Sequence, residues 1–206
     1  DCCYFELEAL EAFGSYLREH ESGMYLVHVQ ADIYRRPAYG ENVSIETSIY
    51  GCSGIRGYRN TLIKDEEGKV CIATYSTGAF VDRTGRPQKL SPAVVDSFGL
   101  PPRYEMEYLP PKIEIPADVE WERLPLIPVK AQILDLNKHV NSNWYVTFAE
   151  EMLPGDFHYK RVRVEYKRQT TCEELLQVEA CTTPAGARCI RICNSEGELK
   201  AVVEFS

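Results

Sequence analysis

The chain has 206 residues, 44% of them hydrophobic and 26% charged, and its formal net charge is -8. This length allows one large domain or two small ones, and it is sufficient to bury a sizeable core. The negative charge argues against broad binding to nucleic acid or to anionic membranes. No apolar run approaches the roughly 18–20 residues of a membrane span.

Eight cysteines are present, and no signal peptide is visible. We therefore expect a cytoplasmic protein whose thiols stay reduced. The sequence contains no CxxC pair, and its four histidines fit no zinc-binding pattern. We expect neither a metal site nor a cofactor.

Residues 4–19 carry apolar side chains at helical spacing and predict a helix. Four strands with a period of two are predicted after it, over residues 24–34, 43–49, 56–63 and 70–80. Residues 51–54 predict a turn, and Asp65-Glu66-Glu67-Gly68 predicts a hairpin loop.

The next stretch, residues 91–125, contains seven prolines and few regular runs. This composition is typical of a connector, and such a length is unusual for a loop inside one compact unit. We therefore predict an N-terminal unit over residues 1–90, a connector over 91–125 and a C-terminal unit over 126–206.

The C-terminal unit begins with a predicted strand over residues 126–134 and a predicted helix over residues 144–153. Four more strands are predicted after the helix, over residues 159–168, 176–181, 189–193 and 199–205. Asn194-Ser195-Glu196-Gly197 predicts a second hairpin loop.

Three segments of the first unit recur in the second unit in the same order. Residues 34–36 match 166–168, 41–46 match 174–179, and 67–72 match 196–201. Each half is then a helix followed by about four antiparallel strands. A long central helix wrapped by a curved antiparallel sheet is the hot-dog arrangement, so we predict an α+β tandem hot-dog with one continuous sheet. The alternative is that two α+β units share the pattern by chance.

The most polar stretch follows the predicted strand 126–134 and precedes the predicted helix. It contains Asp135, Asn137, His139, Asn141 and Asn143 within nine residues. A turn from strand to helix here would place these side chains beside the unpaired N–H groups and the positive end of the helix. A simpler interpretation is that the Asp and Asn side chains only cap the helix.

The DxNxHVN motif over residues 135–141 resembles that of the acyl-ACP thioesterases, which release fatty acids from acyl carrier protein. The resemblance covers the chain from about residue 20 to residue 180. Other segments similar to that family are Tyr34-Arg35-Arg36-Pro37 followed by Glu41, 56–65, 78–90, 112–116 and 164–168. Because no plastid transit segment is visible, we expect the bacterial branch.

The resemblance implies that Asp135 orients and polarises its neighbours, while Asn137 and His139 hold the thioester carbonyl and the attacking water. It also implies that the acyl chain lies in the N-terminal unit, which lacks the motif. No cofactor is implied, and the expected partner is acyl carrier protein carrying a fatty acyl chain.

This chain departs from the family just after the Tyr-Lys-Arg segment. The family has an acid there, commonly followed by cysteine, whereas this chain has Gln169 and Thr170. Gln169 can orient water but cannot take its proton. Cys172 lies two residues on, but aligning it with the family's cysteine would break the match at Leu176, so we do not assign it as the nucleophile.

Thioester hydrolysis needs an activated water, a stabilised oxyanion and a held acyl chain. His139 can act as the base or position the water at neutral pH. Asp135 can orient the imidazole, or take the base role itself because Gln169 is neutral. Val140 and Asn141, at the start of the helix, are the candidate donors to the oxyanion. This mechanism proceeds by water attack, without a covalent intermediate.

Acyl carrier protein is acidic, so docking on this acidic chain requires a local basic patch. Alternation along the strand 159–168 places Arg161, Arg163 and Lys167 on one face, which either docks the carrier or is merely solvated. Further candidates are Lys160, Arg168, Arg35 and Arg36. Pairing of two copies into a homodimer is compatible with the sequence.

Two other functions remain open. The first is an acyl-CoA thioesterase of the same fold. The second is a non-catalytic acyl-binding protein, which Gln169 favours but the joint presence of Asp135, Asn137 and His139 disfavours. A hot-dog dehydratase fits less well, because the His with a separate acid that such enzymes use is not evident. The sequence does not predict the acyl chain length.

Overall fold

The computed structural model describes residues 11–115, 117–135 and 137–206, and of residues 11–13 it describes the backbone alone. Contacts divide the chain into two compact units, Asp1–Leu109 and Pro110–Ser206. None of the described helices is long and apolar enough to cross a membrane.

The first unit contains a helix and a four-stranded antiparallel sheet. Its elements are α1 (Glu11–Glu19), β1 (Gly23–Ile33), β2 (Ser44–Ser53), β3 (Arg56–Lys64) and β4 (Val70–Val81). The strand order is β2-β3-β4-β1. The predicted helix 4–19 is confirmed from Glu11 to Glu19, and its residues 4–10 lie outside the described residues.

The predicted turn over residues 51–54 begins too early. A register shift between Ile49 and Gly51 marks an irregularity in β2, and the strand continues past it to Ser53. Gly51 ends the simple alternation of the sequence, which is why the sequence predicts the end of the strand there. The chain reverses at Gly54, whose φ of 61° is a conformation that glycine adopts without steric cost.

The buried cluster of the first unit joins β2 and β4 to the residues that follow the sheet. Ile49, Phe80, Leu90 and Phe98 are each at most 8% exposed. A short helix, α2 (Pro92–Ser97), carries part of this packing, and the Ser91 side chain caps its N-terminus. Regular structure therefore occurs within a stretch that the sequence predicts to be irregular.

The rest of the proline-rich stretch is divided between the two units. Residues 104–109 are held on the first unit by the buried amides of Gln30 and Asn60. The N–H of Tyr104 and the hydroxyl of Tyr108 each donate to Asn60 Oδ1 at 3.0 Å. Gln30 donates to the Glu107 carbonyl at 2.7 Å. These residues are therefore part of the first unit rather than a free connector.

The second unit also contains a helix and an antiparallel sheet. Its elements are β5 (Glu122–Arg123), β6 (Ile127–Pro128), the 3₁₀ helix Ala131–Ile133, α3 (Ser142–Glu150), β7 (Arg161–Tyr166), β8 (Leu175–Thr182), β9 (Arg188–Asn194) and β10 (Leu199–Phe205). The strand order is β7-β10-β9-β8, and the short strands β5 and β6 both pair with β8. In each unit the strand that follows the helix, β1 or β7, pairs with the last strand, β4 or β10.

Two predicted elements of the second unit differ from the structure. The strand predicted over residues 126–134 is reduced to β6 and the 3₁₀ helix, because Pro128 has no N–H to continue a ladder. The predicted helix 144–153 is α3, which has nine residues and ends at Glu150. Pro154 disfavours helical geometry at the preceding Leu153. The long central helix predicted for this unit is therefore a short one.

Helix α3 packs its apolar side against the sheet. Tyr145, Phe148 and Ala149 are buried, and the helix contacts β10. Beneath it lies a core of fully buried aliphatic and aromatic side chains from the sheet, which includes Leu176, Val178, Ile190, Ile192, Val203 and Phe205. This packing fixes the start of α3, where the polar motif lies.

Candidate active site

The polar motif forms a tight turn that Asp135 holds together. Its Oδ1 atom accepts the backbone N–H groups of Asn137 at 2.8 Å and His139 at 3.1 Å. The Asp135 N–H donates to the His139 carbonyl at 2.7 Å, which closes the turn. Lys138 takes a positive φ of 61°, which non-glycine residues adopt seldom. Asp135 therefore fixes the backbone on both sides of a strained residue.

The turn leads into a short stretch paired with residues 169–171. Val140 forms a bridge with Leu134, and His139 forms one with Thr171. The Val140 N–H donates to the Thr170 carbonyl at 2.8 Å. Continuing this antiparallel register places Gln169 opposite Asn141. The structure thus brings together the two segments that the resemblance assigned to the site.

Helix α3 begins directly after this pairing. Asn141 is its N-cap, and the side chain accepts the Asn143 N–H at 3.3 Å. The capping that the simpler interpretation expected is therefore present. It involves Asn141 but not Asn137, whose side chain is exposed.

Both predicted oxyanion donors already donate within the protein. The Val140 N–H is bonded to Thr170, and the Asn141 N–H donates to the Ile133 carbonyl at 3.1 Å. Within the described part of the chain, the Ser142 N–H at the first helical position has no such acceptor. Ser142 is therefore the better candidate to meet an oxyanion at the positive end of α3.

The imidazole of His139 is partly exposed. Among the described residues it forms no hydrogen bond, and Asp135 contacts the backbone of His139 rather than its ring. Asp135 is therefore seen to hold the turn, and the ring nitrogens of His139 remain available to water or substrate.

Two tyrosines that sequence reasoning missed support this site, the buried Tyr145 and the partly buried Tyr166. The Tyr145 hydroxyl donates to Thr170 Oγ1 at 2.8 Å, and the Tyr166 hydroxyl donates to the Ser142 carbonyl at 3.0 Å. The two rings meet edge to face at 5.8 Å. Burial raises the pKa of both phenols, so they stay protonated donors. Tyr166 lies in the matched Tyr-Lys-Arg segment, the one signal that could have identified it.

A buried ion-pair network was also missed. Lys200 is 5% exposed, and its Nζ lies 3.1 Å from Glu174 Oε2. Burial lowers the pKa of Lys200, but hydrogen bonds to Glu198 and Glu174 outweigh it and hold the pKa above its usual value. Burial raises the pKa of Glu174, but hydrogen bonds from Thr171 and Lys200 leave it below the usual range. Both groups are therefore charged at neutral pH.

The predicted docking face on β7 needs one correction. Arg163 is only 7% exposed. Its guanidinium donates to Glu204 Oε1 at 2.8 Å and to the Pro110 carbonyl at 2.6 Å. Residues 110–113 cover this part of the strand, so Arg163 is not a surface charge. Arg161 is partly buried, whereas Lys167 is exposed and pairs with Glu165.

Among the described residues, no three His, Cys, Asp or Glu side chains are grouped so that they could hold a metal ion. Cys172 is exposed and follows the segment paired with His139.

Comparison with known proteins agrees with the motif. Residues 9–98 match the family described as acyl-ACP thioesterase N-terminal domain. The chain is 27% identical over 189 residues to the chloroplastic dodecanoyl-[acyl-carrier-protein] hydrolase of Cinnamomum camphora, with 82% of this chain and 48% of that protein covered. It is 30% identical over 182 residues to the chloroplastic oleoyl-acyl carrier protein thioesterase of Coriandrum sativum, with 78% and 48% covered. The chain is similar to the acyl-ACP thioesterases.

The fold is also similar to that of a solved structure. The crystal structure of an acyl-ACP thioesterase from Bacteroides thetaiotaomicron superposes with a TM-score of 0.80 at 18% identity, over 99% of this chain and 84% of that one. The resemblance predicted from the motif is confirmed. The chain spans about half the length of the curated relatives it matches. The bacterial branch remains a prediction.

Proposed function

We propose that this chain hydrolyses acyl-acyl carrier protein thioesters and releases the free fatty acid by water attack. The observation that carries the proposal is the turn at residues 135–139. It presents an exposed amide and an imidazole free of hydrogen bonds among the described residues, both next to the start of a helix. The relatives' names supply the substrate class.

The roles follow from what each group can donate or accept. His139 takes a proton from the water or positions it. The Asn137 amide donates to the thioester carbonyl, and the Ser142 N–H supports the oxyanion that forms. Asp135 keeps the turn in its strained geometry. Gln169 orients the water but accepts no proton from it.

We further propose that the two units form a tandem hot-dog, and that the N-terminal unit holds the acyl chain. The repeated strand order supports the first statement, and the absence of the DxNxHVN motif from the N-terminal unit supports the second. The cytoplasmic location and the homodimer remain predictions.

A non-catalytic acyl-binding protein is the second candidate, and Gln169 is the observation that favours it. An acyl-CoA thioesterase is the remaining alternative. Thiol release from a panel of acyl-ACPs of different chain length, beside the matching acyl-CoAs, separates the three. We expect turnover of acyl-ACPs with a clear length preference. Turnover of CoA esters alone, or binding of acyl-ACP without turnover, would each contradict the proposal.

Carrier docking, within this proposal, falls to the exposed basic residues next to Gln169. The Lys167 side chain is 37% exposed and that of Arg168 is 71% exposed. We expect the double reversal Lys167→Glu and Arg168→Glu to raise the KM for acyl-ACP roughly tenfold through lost electrostatic attraction. The kcat and the hydrolysis of small thioesters should not change. Steady-state kinetics at low and high salt measure both.

The matched control for docking is the double reversal Arg83→Glu and Arg86→Glu on an exposed loop of the first unit. It changes the net charge by the same amount and should leave the KM for acyl-ACP within about twofold, because surface substitutions away from a contact have small effects. An equal rise in KM for both double variants would indicate an effect of net charge rather than docking.

A further inference from the structure

We infer that Lys200 and Glu174 are positioning residues. They hold residues 169–171, which lie opposite His139, in the geometry that the reaction needs. This inference rests on the proposed function, because it assigns these residues to the same site. Neither residue belongs to the DxNxHVN motif.

The buried Lys200 side chain binds the segment that lies opposite His139. Lys200 Nζ donates to the Gln169 carbonyl at 3.0 Å and lies 3.0 Å from Glu198 Oε2. Together with Glu174 it therefore has three oxygen partners for its three protons. A lysine that is 5% exposed needs such partners, because an unpaired buried charge is strongly unfavourable.

The Glu174 carboxylate connects Lys200 to Thr171. Glu174 Oε1 accepts the Thr171 N–H at 2.6 Å and the Thr171 hydroxyl at 3.0 Å. Lys200 holds the residue on one side of Thr170, and Glu174 holds the residue on the other side. Thr170 itself is fully buried.

Backbone contacts connect residues 169–171 to the motif. The Thr170 carbonyl accepts the Val140 N–H at 2.8 Å, and Thr171 forms a bridge with His139. A displacement of residues 169–171 is therefore transmitted through backbone hydrogen bonds to the two residues that carry the imidazole and lead into α3.

The first unit supplies an internal comparison. Glu41, which the repeat aligns with Glu174, accepts the Ala38 N–H at 2.8 Å in the same way. Its cation is Arg35, at 2.6 Å, whose side chain is 44% exposed. The position equivalent to Lys200 is Cys71, and each of these residues accepts two successive backbone N–H groups at its carbonyl.

The two units therefore keep the carboxylate but bring its cation from different places. In the first unit the cation is the partly exposed guanidinium of Arg35, which binds both carboxylate oxygens of Glu41 and also pairs with Asp65. In the second unit the cation lies in the sheet, where breaking the pair is costly. The buried cation, Lys200, occurs in the second unit, where residues 169–171 pair with the segment that carries His139. We therefore connect it with function.

The test uses Glu174→Gln, with Glu41→Gln as the matched control in the first unit. Glu174→Gln leaves Lys200 paired with Glu198, so this variant should fold, whereas Lys200→Met leaves Glu174 unpaired beside the site. We expect Glu174→Gln to lower kcat for acyl-ACP about 10–100-fold, because a small misplacement of a catalytic group has an effect of that size. The KM should stay within about twofold, since substrate contacts are unchanged.

A second readout does not depend on activity. Hydrogen exchange of the Val140 amide should accelerate about tenfold in Glu174→Gln, because the bond to Thr170 opens more often. Glu41→Gln should change neither kcat nor this exchange rate. If the wild type hydrolyses no thioester, the proposed function fails, and the exchange rate still decides the positioning role. Unchanged kcat in an active Glu174→Gln variant, or unchanged Val140 exchange, would overturn the inference.

Discussion

Replacing His139 with alanine is expected to lower kcat for acyl-ACP hydrolysis about 10²–10⁴-fold, the usual contribution of a positioned general base. The ring is partly exposed and forms no hydrogen bond among the described residues, so its loss should leave the fold unchanged. The backbone N–H that Asp135 binds remains in the variant. The measurement is steady-state kinetics on the preferred acyl-ACP, together with the thermal unfolding midpoint.

The control for this substitution is His158→Ala. His158 is an exposed histidine of the same unit, outside the motif. It should keep wild-type kcat and KM. If His139→Ala retained kcat within about threefold, the imidazole would not act as base, and the carboxylate of Asp135 would be the next candidate.

Asp135 illustrates how the structure separates two roles that the sequence leaves together. The motif predicts that this carboxylate acts on its neighbours, and it does bind the N–H groups of Asn137 and His139. A motif does not tell whether a carboxylate contacts a side chain or a backbone. That distinction depends on the turn geometry at Lys138, which alternation and spacing do not encode.

Strands were predicted well because their period of two is a local property of the sequence. The clear failures lie where alternation passes through a residue that cannot continue a ladder. Pro128 interrupts the predicted strand 126–134, and Gly51 falls inside β2 where a turn was expected. In both places one backbone feature outweighed the pattern of side chains.

Site residues outside the motif could not be predicted, because their partners lie far along the chain. Lys200 reaches the carbonyl of Gln169, 31 residues earlier. Its strand reads as an ordinary apolar run with one lysine, and nothing local shows where the ammonium group goes. Tyr145 likewise reads as a helix residue until its hydroxyl is found on Thr170.

Arg163 is predicted from the strand pattern to lie on an exposed face, but it is buried. Alternation places it correctly on one face of β7. Pro110 and Lys112, more than 50 residues earlier in the chain, cover that face. Their carbonyls accept hydrogen bonds from Arg163 Nη2 at 2.6 and 3.2 Å. Glu204 lies directly opposite on β10.

We expect Arg163→Met to lower the free energy of unfolding by about 3–5 kcal/mol, because it leaves the carboxylate of Glu204, whose side chain is only 14% exposed, without its cation. Arg163→Glu should be worse, since it places two carboxylates opposite each other, and it is expected not to fold. Urea denaturation of the wild type and of Arg163→Met measures the difference. The surface variant Arg168→Met, whose Glu198 partner lies 3.6 Å away, should change the stability by less than about 0.5 kcal/mol.

The double variant Arg163→Met with Glu204→Met distinguishes a buried ion pair from a general packing defect. Removing both charges removes the desolvation cost of both, so the double variant should recover most of the stability lost in Arg163→Met. A residue of the carrier-docking surface would behave differently. If Arg163 docked the carrier, Arg163→Met would have the stability of the wild type and a higher KM for acyl-ACP. These two results together would contradict the buried ion pair and support a docking role.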